Sequence, residues 1–299
     1  MLDTPRRRRL IATLAVGSIA LVAGLAACLL EVHPWAPTVP RSSQVAFVDD
    51  RSCAQCHQAP YRAWAGSHHD RAMQRADERA VLVEPLACAI HAALRGRPEP
   101  GASVLVVGAG TVGILTLLAL REFTEAGTIV VVAKHRGQRD LALRFGATEV
   151  VGPRDAVSAV RRSSRAFRLQ PERGGAFLLG GVDVAVECAG TRRSLDLALR
   201  TTRAGGRVVL AGLPVAGVDL TPVWFRELEV VGVYASGIES VNGDRRSAFE
   251  LALSLAAEVD LDSLLGATYP LASWREAIDH AMSSGRLGTP KVAFDPREG

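Results

Sequence analysis

Residues 103–121 read SVLVVGAGTVGILTLLALR, and this stretch decides the fold. Residues 103–107 are an apolar run of strand length, and residues 114–121 continue as an apolar helix. Between them lies GAGTVG, in which Gly108, Gly110 and Gly113 occupy the first, third and sixth positions. Each glycine has a physical task. Gly108 makes the tight turn, Gly110 lets a pyrophosphate approach the backbone, and Gly113 allows the helix to pack closely on the strand. With Thr111 and Val112 they form a helix N-terminus, whose free N–H groups and partial positive charge favour phosphate. Such a glycine pattern alone is a weak signal. Strand, turn and helix in the required order make it a dinucleotide site in preference to a purely structural turn.

The alternation continues outward. Residues 128–133, 149–151, 182–186, 207–210 and 228–233 read as strands, with helices predicted over 138–145 and 193–202. Strands separated by helical stretches need right-handed crossovers, hence a parallel sheet covered on both faces. The fold class is therefore α/β, a doubly wound parallel sheet of the Rossmann type. About twenty residues past the glycines, enzymes that use NAD place an acid against the ribose 2'-hydroxyl. Here the chain reads Ala133-Lys134-His135-Arg136, with no carboxylate and three potential cations. A 2'-phosphate is favoured there, so NADP is expected ahead of NAD; a solvated basic turn is the alternative.

Four motifs carry a family resemblance: VEPLACAIHAALR at 83–95, GVDVAVECAG at 181–190, RAGGRVVLAGLP at 203–214 and WFRELEVVGVYASG at 224–237. Together with the glycine motif they make residues 81–294 resemble the cofactor-binding half of the zinc-dependent medium-chain dehydrogenases, the group of threonine, sorbitol and alcohol dehydrogenases. The resemblance implies an NAD(P)-dependent oxidoreductase that transfers hydride between an alcohol and the nicotinamide, and pairing of two copies through the Rossmann sheet. It also implies a zinc that polarises the alcohol oxygen. The family's main zinc ligands, a cysteine and a His-Glu pair, lie in a separate catalytic domain, and neither a GHE motif nor the cysteine quartet of the structural zinc occurs in this sequence. Zinc is therefore not expected in this chain, and turnover is expected to be impaired. Glu84 matches the family carboxylate beside the catalytic zinc, a vestigial metal position; a helix N-terminal acid is the alternative. Cys88, His91 and Cys188 are expected to be packed. A helix over 273–284 and a strand over 291–294 follow, the strand being expected to form a loosely held or exposed edge because the sheet it would join is absent.

The N-terminal part reads differently. The arginine run 6–9 precedes an uncharged apolar run, 10–30, that is long enough to span a bilayer. A signal anchor over 1–31 is expected, with a single inner-membrane span; a buried core helix is the alternative. Leu25-Ala26-Ala27-Cys28 has the form of a lipoprotein cleavage box. A proline-rich linker occupies 32–43. Residues 44–80 contain Cys53-Ala54-Gln55-Cys56-His57, the CxxCH pattern in which two thiols bind haem vinyl groups and the imidazole binds iron. Half a zinc site is the alternative. The stretch resembles the haem-binding segment of c-552/c-554-type multihaem cytochromes. That resemblance makes covalent haem c, held by Cys53, Cys56 and His57, the implied cofactor, with His68 or His69 as distal ligand; a solvated loop is the alternative for those two histidines. Export of this segment conflicts with cytoplasmic nicotinamide cofactors, so the side occupied by residues 81–299 stays open, and a chimera joined near residue 81 is the simplest account. A membrane-anchored haem electron carrier with a passenger Rossmann domain is the competing function.

With 299 residues and 48% apolar content the chain can bury a core, and its net charge of +4 is modest. The basic residues form no stripe interleaved with aromatics, which argues against nucleic acid. Five unevenly spaced cysteines do not make a disulfide framework.

Overall fold

Val104–Val107, which forms β1, sends Val104 and Val106 into one buried cluster and Leu105 and Val107 into another. Side chains alternate across a strand, so a strand buried on both faces must be apolar throughout. The computed structural model describes residues 54, 56–65, 80–172, 175–213 and 216–295, and the chain divides into two compact units, Met1–Ala72 and Met73–Gly299.

In the second unit, α1 (Ala80–Gly96) precedes β1, and α2 (Thr111–Phe123) follows it. Next come β2 (Ile129–Val132), α3 (Arg136–Arg144), β3 (Glu149–Val151), α4 (Ala156–Ser164), and a hairpin of β4 (Phe167–Leu169) and β5 (Phe177–Leu179). The second half holds β6 (Val182–Glu187), α5 (Arg192–Thr201), β7 (Thr202–Leu210), α6 (Thr221–Arg226) and β8 (Glu229–Gly232). A second hairpin, β9 (Ile238–Val241) and β10 (Asp244–Ser247), leads into α7 (Ala248–Glu258). The chain closes with β11 (Leu265–Pro270), α8 (Trp274–Leu287) and β12 (Lys291–Asp295).

Six strands form one parallel sheet in the order β3-β2-β1-β6-β7-β8. Helices α1, α2 and α7 cover one face, and α4 and α5 cover the other. The strand order reverses between β1 and β6. In a sheet of this kind the loops leaving those two strands diverge to opposite faces and open a crevice at their carboxyl ends. Asp183 ties the far ends together, accepting from the Ser103 backbone N–H at 2.8 Å and from Arg203 Nε at 2.6 Å.

The expected Rossmann strands and their helices are present. Two outcomes differ from expectation. The strand β7 begins at Thr202, five residues ahead of the predicted start, and carries a register irregularity between Thr202 and Arg207, opposite Val182 to Val184 of β6. The C-terminal strand β12 is an edge, of a two-stranded sheet, but it is not loosely held. It pairs in parallel with β11, and α8 connects the two. The anchor over 1–31 and the linker over 32–43 lie outside the described residues. Among the described residues no helix is long and apolar enough to cross a membrane. In the first unit a short helix, Gln58–Trp64, starts directly after His57, with the Tyr61 and Trp64 rings 5.7 Å apart.

Candidate functional site

The crevice is built from the glycine loop after β1. Its backbone stays in register with the sheet, the Gly108 N–H donating to the Val132 carbonyl at 3.1 Å. Gly108 has φ +108°, and a Cβ there would come within 3.0 Å of the Ala189 Cβ in the loop after β6. A Cβ on Gly113 would overlap the Gly108 carbonyl, so α2 leaves its strand too closely for any other residue. These two glycines serve the turn itself.

Gly110 is different. Its backbone, at φ −79° and ψ −171°, suits any residue, and a Cβ there would meet nothing within 4 Å. Glycine at this position answers no steric demand of the fold. What it leaves free is the space in front of the α2 N-terminus, where the first N–H groups, at Thr111, Val112 and Gly113, lack intrahelical acceptors. Gly110 is exposed, Thr111 and Val112 are half-buried, and Gly113 is buried. The arrangement fits a phosphate group, which can occupy that space and accept from the helix N-terminus.

The predicted basic turn lies alongside, because β1 and β2 run in register with Val107 opposite Val132. Lys134 and Arg136 are exposed, while His135 is half-buried and precedes α3. The His135 backbone N–H is met by Gln138 Oε1 at 3.2 Å. Glycine loop and basic turn are thus brought together.

Glu187, which the sequence reading passed over, is buried at the end of β6 and shapes the opposite wall. Its Oε1 accepts from the N–H groups of Ala189 and Gly190 at 2.8 and 2.9 Å, holding the turn that faces Gly108. A carboxylate directly after the apolar stretch Val184-Ala185-Val186 was the available signal. Thr111 supplies a second unanticipated contact, donating its hydroxyl to the Pro290 carbonyl at 2.6 Å.

The stripe Glu84, Cys88, His91 lies elsewhere, along α1 at spacings that place all three on one helix face. Cys88 donates its thiol to Glu84 Oε1 at 3.1 Å, and burial, aided by that hydrogen bond and the Glu84 charge, pushes the thiol up to about 12. His91 Nδ1 meets Glu239 Oε1 at 2.5 Å, and Glu239 is buried. His91 is therefore packed as expected but also paired, to a residue 148 positions away. Cys188, set beside Thr116, is likewise pushed up to about 12, chiefly by burial. Glu84 and Cys88 satisfy each other, His91 and Glu239 do the same, and no group of three or more His, Cys, Asp or Glu suited to a metal exists among the described residues. These side chains do not fit a catalytic zinc. Of the CxxCH set, Cys56 is free and exposed and His57 is exposed; Cys53, His68 and His69 lie outside the described residues.

Residues 111–258 match the family model described as zinc-binding dehydrogenase. The sorbitol dehydrogenase of Arabidopsis thaliana is 35% identical over 159 residues, covering 52% of this chain and 42% of the relative. The L-idonate 5-dehydrogenase of Vitis vinifera is 33% identical over 159 residues, covering 52% and 41%. The chain thus spans under half the length of these two relatives. Among solved structures, one described as a zinc-binding dehydrogenase from Sinorhizobium meliloti 1021 bound to NADP is similar at 28% identity and a TM-score of 0.52, over 67% of this chain and 55% of the other. The L-idonate 5-dehydrogenase of Escherichia coli is similar at 27% identity and a TM-score of 0.56, over 73% and 57%.

Proposed function

We propose that the α/β unit, which over residues 111–258 belongs with the zinc-binding medium-chain dehydrogenases, binds a nicotinamide dinucleotide and is the cofactor half of an oxidoreductase acting on an alcohol or polyol. The observation that carries this reading is the free space in front of Gly110, at a position where the backbone itself has no need of glycine. The N–H groups of Thr111, Val112 and Gly113 hold the pyrophosphate, and Gly108 sets the turn that aims them. Lys134, His135 and Arg136 receive the adenosine ribose, and their charge favours NADP over NAD. When bound, the nicotinamide ring supplies hydride exchange with an alcohol carbon. Relatives named for sorbitol and idonate point to polyols as the substrate class.

This chain by itself binds the cofactor and turns over alcohol poorly, because Glu84 is spent on Cys88, and His91 on Glu239. The free edge of β8, with Trp224 83% and Tyr234 93% exposed close by in sequence, is where a second copy would extend the sheet. Fluorescence titration of the solubilised full chain with NADPH and NADH tests the reading. Saturable binding that Gly110→Leu abolishes supports it, and a folded protein that binds neither dinucleotide overturns it.

A second reading is favoured by the helix Gln58–Trp64, which begins immediately behind the CxxCH motif as a haem-attachment segment requires. In it the chain is anchored at the membrane by residues 1–31 and carries haem c on Cys53 and Cys56, with His57 and His68 as axial ligands. The alkaline pyridine spectrum of protein expressed with haem-attachment machinery decides it: a haemochrome band retained after acid-acetone extraction supports covalent haem, and its absence sinks the reading.

A further inference from the structure

Past α8 the chain returns across both loops of the candidate site. Near the end of α8, a Cβ built on Gly285 would lie 3.0 Å from both His135 Cδ2 and Gln138 Nε2, so this helix packs closely against side chains of the basic turn and of α3. Gly288, which ends α8 at φ +76°, sits opposite Gly137, where a Cβ would come within 3.3 Å of the Gly288 Cα. Two residues on, the Pro290 carbonyl takes the Thr111 hydroxyl at the N-terminus of α2. Residues 285–290 therefore border the phosphate end and the ribose end together.

Packing does little to hold this segment. Of the residues of α8 only Ala277 is buried, whereas Ile278, Met282 and Leu287 are exposed. A polar chain connects it instead. The Tyr269 hydroxyl on β11 meets His280 Nδ1 at 2.8 Å, and His280 Nε2 meets the Thr289 hydroxyl at 2.6 Å. The tyrosine ring stands edge-on to the imidazole at 89°. All three residues are half-buried. An imidazole can engage a partner at both nitrogens at once, and each hydroxyl can donate or accept, so the chain is satisfied end to end.

We propose that Tyr269, His280 and Thr289 form a latch that fixes the turn 288–290 against the N-terminus of α2, which makes His280 and Thr289 positioning residues for dinucleotide binding. The inference rests on the dinucleotide site proposed above. With the latch intact, the wall formed by 285–290 is held near its bound arrangement before the cofactor arrives, and the cofactor only tightens it. With it broken, the cofactor must order that segment as it binds, and affinity falls for that reason.

The test uses the full chain with NADPH as probe. Thr289→Val keeps the side-chain volume and removes the hydroxyl; Thr289→Ser keeps the hydroxyl. Thr289→Val is expected to weaken NADPH about tenfold with an unchanged thermal midpoint, while Thr289→Ser stays near wild type. In the wild type, NADPH is expected to slow amide hydrogen exchange between residues 285 and 291 as well as in the glycine loop, a readout that a purely structural role would not move. Wild-type NADPH binding with no slowing over 285–291, or equal affinity in Thr289→Val, overturns the latch and leaves the dinucleotide site standing. No binding by the wild type, or full binding by Gly110→Leu, overturns both. If Thr289→Val does not fold, the exchange measurement on the wild type still decides.

Discussion

The glycine loop and the Glu84–Cys88–His91 stripe are two places where this sequence points to chemistry, and they differ in what their polar groups face. At the loop, the first N–H groups of α2 look past Gly110 into a space where a side chain would touch nothing. On α1, the thiol is turned onto Glu84 and the imidazole onto Glu239. Polar groups that point into space are available to a ligand, whereas polar groups that satisfy one another hold the fold. Residue types alone do not separate the two cases; the difference lies in where the partners are.

The largest effect that could break this comparison is expected at Gly110. Gly110→Leu should weaken NADPH binding by more than roughly 100-fold while leaving the thermal midpoint in place, since nothing of the fold occupies that space. A large loss of stability instead would mean that the position is structural after all. The complementary change on α1 is His91→Ala, which strands the buried Glu239. A loss of about 3 kcal/mol in denaturant unfolding is expected, with dinucleotide affinity unchanged in whatever fraction remains folded. If NADPH binding fell and stability did not, the stripe would belong to the site.

A smaller effect sharpens the loop side. Replacing Lys134 and Arg136 together by alanine should cost NADPH about tenfold and NADH little, as comparative titrations at one salt concentration will read. Equal losses for both dinucleotides would remove the 2'-phosphate from the account. The smallest effect concerns the thiols. Cys88 and Cys188 are held at about 12 against an ordinary 9.0, so between those values the folded chain retains protons that the unfolded chain has lost. Their contribution is therefore complete below pH 9 and declines as pH rises toward 12. Denaturation midpoints should fall over that interval, and the fall should be shallower in the Cys88→Ala, Cys188→Ala double variant. An identical slope in wild type and double variant would contradict the assignment.

How much was legible in the sequence follows from burial. The strands β1 and β2 are runs of apolar residues, and β6 is largely so, because both faces of the sheet are covered, and such runs stand out. The helix α7 also carried a usable signal that the reading passed over: Ser247 and Glu250 form a capping box, in which the Glu250 N–H donates to Ser247 Oγ at 3.1 Å and the Ser247 N–H donates to Glu250 Oε2 at 2.9 Å. The hairpin β4–β5 and the strand β11 offered less. Phe167 is 75% exposed, and β11 runs through Gly266 to Pro270, so neither shows the apolar pattern that marks a buried strand.

The sequence by itself determined the parallel sheet, the glycine turn and the basic turn beside it, because these depend on residues close together in the chain: apolar runs, a glycine spacing and the end of the next strand. The tertiary structure alone decided the pairing of His91 with Glu239, the seat of Thr111 on Pro290 and the chain from Tyr269 through His280 to Thr289. The first two join residues 148 and 179 positions apart. The third spans 20 residues but depends on β11 and β12 pairing across α8. A hydrogen bond needs its partners within about 3 Å in a defined orientation, and only the packed fold sets that distance.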